Sequence, residues 1–407
     1  GAALMLLAAA RVLWPRGVDT RWRERLRLAR LNLSRAVLAT FVLGLALAAG
    51  GGAFLAWELA AGGFLTARES EALRAGYEQR YAGFAALAQP RIVDVDLRVA
   101  LRPEARAMTV QGTYQLENRG AQPMADLVLY QQRGAAFTPR FAAAHAASLV
   151  LADPERGFFH YRLATPLAPG ARMAFAFEAG YAPRGLFGIG SQTPVLGNGT
   201  LFTNAVLPRI GYQPSVELSD DHDRRRFGLG ARAAGAVARA PDWTGFHAVV
   251  STSPDQIAIA PGTLEREWVD GGRRHFEYRM DRPMPNAYAV QSGRYEVRHD
   301  RWQDVSIDVF HAPDHGTNVE RMIRGAQAGL DYGARNFGRY PLRELRIAEF
   351  ARATRSAQTY PGMIPLSESG AFIARVDDTS PKDIDYPFYA SARDTARQWW
   401  GLQLAPA

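Results

Sequence analysis

Cysteine is absent from the 407 residues of this chain. Disulfide bonds, thiolate metal sites and a cysteine nucleophile are therefore excluded, and cysteine usage carries no information on the redox compartment. A metal site would have to be built from histidine and carboxylate side chains. The eight histidines are scattered, and the pair with ligand-like spacing, His311 and His315, has Pro313 between its members, which argues against one continuous helix face. We interpret both as ordinary loop histidines.

Lysine occurs once, at Lys382, and we attribute the excess of arginine and alanine to genomic base composition. The net charge of +8 would suggest nucleic acid if the arginines formed a patch on a folded domain. Eight of them lie instead within the first 35 residues, beside apolar runs, which is typical of a membrane topology signal. These are Arg11, Arg16, Arg21, Arg23, Arg25, Arg27, Arg30 and Arg35. We expect no nucleic-acid partner.

Residues 36–57 form an uncharged stretch about as long as the roughly 20 residues needed to cross a bilayer. The arginines before it and Trp57 at its far end favour a transmembrane helix over a buried helix of a soluble protein. The apolar run Ala2 to Ala10 predicts the end of an earlier transmembrane helix, so we expect a fragment of a longer chain. Residues 1–62 are therefore a predicted membrane region, with the basic loop in the cytoplasm and everything after Trp57 outside it.

Residues 63–90 are predicted to form a stalk or linker helix that ends at Pro90. After it, apolar residues recur with a period of two, and two such runs around the turn Pro103 to Arg106 predict an antiparallel hairpin. Similar short runs between Pro, Gly and Asp turns make residues 91–300 a predicted β-rich domain. The runs are Leu127–Tyr130, Met173–Phe177, His247–Ser251, Gln256–Ala260, Glu265–Val269, His275–Arg279 and Tyr288–Val297.

Residues 301–407 combine strand and helix patterns. Apolar residues from Val319 to Phe337 recur at helix spacing, with Thr317 or Asn318 as N-cap and Gly338 as the stop. The remaining predicted elements are the strands Val305–Phe310 and Leu345–Phe350 and a last helix that begins at Asp385, with Pro387 in its first turn. These patterns predict that residues 301–407 are the beginning of a mixed α/β domain. For the chain as a whole they predict an α+β protein with an N-terminal transmembrane helix.

Several segments, in this order, resemble the aminopeptidase N-like zinc metallopeptidases, or gluzincins: Val93–Leu97, Asn318–Gly338, Leu345–Phe350, Gly362–Glu368 and Gln398–Gly401. With the membrane span, the chain is most similar to bacterial proteins that fuse an ABC transporter permease to an extracytoplasmic domain of this class. Ile210–Pro214 and Glu217–Asp220 also resemble that subgroup. The resemblance implies a saddle-like β domain followed by a thermolysin-like catalytic domain, zinc as the family cofactor, and the bacterial inner membrane as location.

In the family, the helix before Gln-Trp-Trp carries two histidine zinc ligands and a glutamate general base. The ligand positions in this chain are Arg393 and Arg397, and the base position is Asp394. A guanidinium stays protonated and has no lone pair for a metal, so no zinc cofactor and no metal ligand is expected here. By the resemblance, the third ligand and a catalytic tyrosine would fall after Ala407. We expect the two arginines to pair with Asp394 or neighbouring acids, or to form a solvated face.

Glu368 lies in a segment that resembles the loop binding the amino group of the family's substrates, and a surface loop carboxylate is the alternative interpretation. A serine-dependent reaction would have to use Ser191, at the end of the glycine-rich run that begins at Gly185. That run lacks the Gly-x-Ser-x-Gly pattern, and a glycine-rich turn near a binding face explains it.

The sequence leaves three functional hypotheses. The first is a membrane-anchored, extracytoplasmic aminopeptidase-like domain that is catalytically inactive and could still bind peptides. The second is an interaction or structural module of an ABC transporter permease, with the transporter subunits as partners. The third is an active zinc aminopeptidase, which would need a different motif and further sequence.

Overall fold

The computed structural model describes residues 1–13, 33–191, 193–232, 242–352, 358–380 and 382–400. The chain divides into two compact units. One contains residues 1–64 and 183–192, and the other contains residues 65–182 and 193–407.

The first unit contains two apolar helices, α1 (Ala2–Leu13) and α2 (Arg35–Gly62). The Ser34 side chain accepts a hydrogen bond from the Val37 amide at the start of α2, and Gly63, with a left-handed φ of 76°, ends the helix. The predicted apolar helix is thus confirmed as a helix. Its length and composition suit a membrane span or a signal sequence. Most of the predicted basic loop lies outside the described residues.

The second unit begins with α3 (Ala67–Tyr81), in the segment predicted as a stalk or linker. Thr66 and Glu69 form a reciprocal capping box at its start. Its side chains Tyr77 and Tyr81 are buried in a cluster with Phe158 and other residues of the β structure. Because burial of aromatic side chains fixes a helix to its neighbour, this segment is part of the β-rich layer and not a free connection.

The β-rich layer contains fifteen strands within the described residues. They are β1 (Arg91–Arg102), β2 (Ala107–Glu117), β3 (Met124–Tyr130), β4 (Ala136–Phe141), β5 (Ala147–Asp153), β6 (Phe158–Leu167), β7 (Arg172–Tyr181), β8 (Thr200–Thr203), β9 (Arg209–Ile210), β10 (Trp243–Thr252), β11 (Ile257–Ile259), β12 (Thr263–Asp270), β13 (Arg273–Arg279), β14 (Met284–Pro285) and β15 (Ala289–Gly293), with a short helix α4 (Asp221–Arg226) before β10.

These strands form a large sheet of order β12-β13-β10-β1-β2-β7-β4, with β14 on β10, and two smaller sheets, β5-β6-β3-β9 and β11-β15-β8. The predicted hairpin is confirmed, since β1 and β2 pair antiparallel from Arg91–Glu117 to Arg102–Ala107. Its alternate side chains Val95, Leu97, Val99 and Leu101 are buried in the core, as a period of two requires.

Strands β4, β5, β6 and β8 were not predicted from the sequence. In β5 most side chains are exposed, so the strand lacks an apolar face that alternation could reveal. The single strand predicted at Tyr288–Val297 is two strands: β15 ends at Gly293, and β16 (Glu296–Trp302) joins a different sheet.

That fourth sheet has the order β16-β17-β18-β19, with β17 (Val305–His311), β18 (Glu344–Phe350) and β19 (Met363–Ser367) parallel to one another. Helices α5 (Val319–Phe337) and α6 (Tyr386–Ala396) complete this mixed α/β part. As predicted, Asp385 caps α6 by accepting a hydrogen bond from the Phe388 amide at 3.1 Å. The side chain of Asn318, at the start of α5, instead donates to backbone carbonyls of residues 371, 372 and 374. The observed fold class is α+β.

Candidate functional site

Three glycines on one face of α5 determine how closely α6 approaches it. A Cβ on Gly325 would lie 2.4 Å from the Phe388 carbonyl oxygen, and one on Gly329 would lie 2.8 Å from that of Ala392. A Cβ on Gly333 would lie 2.5 Å from the ring of Trp399. Since glycine occurs at every fourth position of this face, the two helices pack backbone against backbone. This packing holds α6, which carries Arg393 and Asp394, against the α/β core.

The carboxylate of Asp394 is buried on α6 between Arg393 and Arg397. Arg393 binds it with two parallel hydrogen bonds, Nε to Oδ1 and Nη2 to Oδ2, both at 3.0 Å. Arg397 forms an ion pair with Oδ1 at 3.1 Å. The hydrogen bond to Asp394 raises the pKa of Arg393, whose guanidinium also lies 5.7 Å from the ring centroid of Tyr389. The predicted pairing of both arginines with Asp394 is therefore observed.

These residues do not fit a zinc ion. Arg393 and Arg397 are guanidinium groups without a lone pair, and each directs its positive charge at the carboxylate of Asp394. A cation placed there would be repelled by two guanidinium groups one helical turn apart. Across the described ranges, no cluster of three or more His, Asp or Glu side chains has a geometry that could hold a metal ion.

The residues after α6 contact the turn Tyr360 to Gly362, which precedes β19. The side chain of Gln398 accepts a hydrogen bond from the Gly362 amide at 3.0 Å and donates one to the Tyr360 carbonyl at 2.9 Å. Trp399 is buried, and its indole N–H donates to the Gly338 carbonyl at 2.9 Å. The sequence identified these segments separately, and the structure shows that they are in direct contact.

Glu368 follows β19 and begins a single wide turn, Glu368–Phe372, that lies against α6. Its side chain is half-buried. In the described part of the chain, its carboxylate forms no hydrogen bond or ion pair with Asp394 or with either arginine. The structure therefore places the two predicted site residues in the same α/β part without bringing their carboxylates together.

Sequence reasoning missed Glu349, the buried carboxylate near the end of β18. It accepts hydrogen bonds from the Ala312 amide at 2.7 Å and from His315, and its carbonyl oxygen accepts one from the Tyr295 hydroxyl at 2.8 Å. Burial raises the pKa of Tyr295. The one available signal is a carboxylate near the end of a largely buried strand, and the position of His315 cannot be read from it. His311 hydrogen bonds to the Ala312 carbonyl at 2.8 Å.

A separate cavity of about 470 Å³ lies in the β-rich part. Residues that are far apart in the sequence line it, including Gln89, Arg91, Arg209, Tyr212 and Asp242. Burial lowers the pKa of Arg209, which stacks over the Tyr130 ring at 4.6 Å from the centroid. Neither Asp394 nor Glu368 lines this cavity.

No protein-family profile matches the sequence, and no curated protein does so either. Solved structures of M1 zinc metallopeptidases are similar in fold. The similarity is one of fold alone. A glutamate-to-alanine mutant from Deinococcus radiodurans has 17% identity, covering 77% of this chain and 65% of that one, with a TM-score of 0.49.

A two-domain M1 metallopeptidase mutant bound to L-arginine has 17% identity, with 78% of this chain and 66% of that chain covered and a TM-score of 0.48. An M1 metallopeptidase from Deinococcus radiodurans has 16% identity, 79% and 68% coverage and a TM-score of 0.48. This chain thus spans 65% of the length of the first of these structures.

Proposed function

We propose that this chain is a membrane-anchored, aminopeptidase-like domain without metal-dependent peptidase activity. It comprises a saddle-like β domain and a thermolysin-like α/β part, and it lies outside the cytoplasm at a bacterial inner membrane. The observation that carries the proposal is the buried carboxylate of Asp394 between Arg393 and Arg397.

Peptide hydrolysis by this class of enzyme needs two things at the motif helix. A metal must acidify a bound water, and a carboxylate must be free to take and return its proton. Both oxygens of Asp394 are occupied by the Arg393 fork, and Oδ1 is shared with Arg397. The carboxylate therefore neutralises two cations, which is a structural role and not a proton shuttle.

The function that remains is binding. The apolar helix α2 supports anchoring at the membrane, and the layered β structure after it supports an extracytoplasmic interaction module of an ABC transporter permease. The half-buried carboxylate of Glu368 supports recognition of a cationic group such as a peptide amino terminus. A peptide ligand and transporter subunits are the partners that follow from this proposal.

The proposal is tested with the full chain in detergent, with and without added zinc, on a panel of aminoacyl substrates. We expect no cleavage above the rate of a boiled sample in either condition. A zinc-dependent peptidase activity that co-purifies with the chain and is abolished by a chelator would contradict the proposal and favour an active aminopeptidase.

The orientation is tested separately with reporter fusions at residue 90. A reporter active only outside the cytoplasm is the expected result, because arginine-rich loops remain on the cytoplasmic side. A cytoplasmic signal at this position would contradict the proposed location while leaving the interpretation of the arginine cluster intact.

A further inference from the structure

An apolar loop from Pro183 to Ser191 belongs to the same compact unit as α2. Two of its side chains, Leu186 and Phe187, are 70% and 66% exposed. Ile189 is also exposed. Exposure of contiguous apolar side chains to water is unfavourable, so an exposed apolar loop tip indicates a contact surface.

Glu58 of α2 binds the backbone of this loop. Its fully buried carboxylate accepts hydrogen bonds from the Leu186 and Phe187 amides, the latter at 3.2 Å to Oε1 and 3.3 Å to Oε2. Glu58 and Leu186 are 128 residues apart in sequence. In a hydrocarbon environment a backbone amide without an acceptor is strongly destabilising, and here the carboxylate of Glu58 accepts from two of them.

The loop backbone is adapted to lie directly on the end of α2. A Cβ on Gly62 would lie 2.4 Å from the Ile189 carbonyl oxygen, so glycine is required there. Ser191 closes the loop, because its hydroxyl accepts from the Arg184 amide at 2.8 Å and donates to the Arg184 carbonyl at 3.0 Å. The loop is thus a closed, internally hydrogen-bonded structure that contacts the helix along its backbone.

Aromatic residues of α2 show at which level along the helix the loop lies. Phe187 packs edge-on against Phe54, with ring centroids 5.9 Å apart. Phe54 precedes Glu58 by one helical turn, or about 6 Å along the axis toward the apolar centre of α2. Trp57, exposed and next to Glu58, is the type of residue that marks a membrane interface.

We propose that the apolar loop inserts into the lipid bilayer beside α2, with Leu186 and Phe187 among the acyl chains and Glu58 satisfying the loop amides at the membrane interface. This inference rests on the membrane anchoring proposed above. Lipid is the occupant because the exposed loop side chains continue the exposed apolar surface of α2 at the level of Phe54 and Trp57. The domain would then be held at the membrane by two elements.

The absence of cysteine makes a direct test possible, since a single introduced cysteine carries a single nitroxide label. The full chain is reconstituted in phosphatidylethanolamine and phosphatidylglycerol vesicles as Phe187→Cys and, separately, Leu186→Cys. Matched controls are Leu47→Cys, within the apolar stretch of α2, and Val269→Cys, which is 68% exposed on the β12–β13 hairpin. Collision of each label with oxygen and with a water-soluble nickel chelate reports its depth.

The labels at 186 and 187 are expected to resemble the label at 47, with oxygen collisions enriched severalfold over nickel collisions relative to position 269. If the label at residue 47 is in lipid and the label at residue 187 is in water, the loop proposal is overturned and the proposed membrane anchoring by α2 is retained. If the label at residue 47 is also in water, both the anchoring and the loop insertion are refuted. A label at 187 that neither reagent reaches would show that a protein partner covers the loop, which also overturns lipid insertion.

The role of Glu58 is tested in the Phe187→Cys background. Glu58→Ala removes the acceptor of both loop amides, and we expect the label at 187 to move toward the aqueous profile. Glu71→Ala, which removes a carboxylate paired with Arg226 elsewhere, is the matched control and is expected to leave the label unchanged. An unchanged label in Glu58→Ala would refute the assigned role of Glu58.

Discussion

Arg393 holds both carboxylate oxygens of Asp394 through two parallel hydrogen bonds of 3.0 Å. Adjacent residues on a helix usually point in different directions, so this fork requires the longer arginine side chain to fold back over its neighbour. Arg397 approaches the same carboxylate from the next turn. The three residues satisfy one another and leave Asp394 without a free oxygen.

The first prediction concerns this cluster. The double variant Arg393→Ala/Arg397→Ala leaves the buried Asp394 carboxylate unpaired and should lower the free energy of unfolding by about 1–3 kcal/mol. Adding Asp394→Ala should recover part of the loss, because the unpaired charge is removed. Arg335→Ala, which breaks an exposed pair with Asp331, is the control and should change stability by less than about 1 kcal/mol. Urea denaturation measures all three, and a triple variant less stable than the double would contradict the assignment.

The second prediction concerns the helix contact. Gly333→Ala places a Cβ against the buried Trp399 ring and should destabilise the protein by about 1–3 kcal/mol, partly offset by up to about 1 kcal/mol of helix propensity. Gly83→Ala adds a methyl group that meets no atom within 4 Å and is the control, expected to be neutral or slightly stabilising. Equal melting temperatures for the two variants would show that the Trp399 ring does not pack closely against α5.

The third prediction concerns acid stability through Asp153. Burial alone would raise the pKa of Asp153, but hydrogen bonds from Tyr81 and from Arg156 hold it below its usual value of 3.8. A carboxyl with a lowered folded-state pKa stabilises the protein above its unfolded pKa and loses this contribution as the pH falls through the folded value. Wild type should therefore exceed Asp153→Asn in stability near pH 6, and the gap should close as the pH falls below 3.8 and through the lowered folded-state pKa. A gap that does not change with pH would contradict this assignment.

Much of the fold could be predicted because its signals are local. Asp385 marks the beginning of α6 through its side-chain cap, and Gly338 marks the end of α5 through its backbone freedom. The β1–β2 hairpin follows from alternation over consecutive residues. The glycine face of α5 carried no such signal. Its meaning depends on α6, and helix patterns alone treat glycine only as a poor helix former.

The same distinction between local and long-range signals applies to the side-chain contacts described above. The pairing of Arg393 and Arg397 with Asp394 could be predicted since all three are within one turn of a helix. The partners of Glu58 and Glu349 could not, because the loop amides are 128 residues away and His315 is 34 residues away. Contacts over such distances are set by the tertiary fold and leave no periodic trace in the sequence.

The most direct measurement of the central claim is the zinc content of the purified full chain after dialysis against trace zinc. The variant Arg393→His/Arg397→His, which puts two imidazoles one turn apart, is the matched control and is expected to retain more zinc than the natural chain. We expect no stoichiometric zinc in the natural chain, because Arg393 and Arg397 are guanidinium groups bound to Asp394. One tightly held zinc per natural chain, lost when Asp394 is replaced by Ala, would contradict the account.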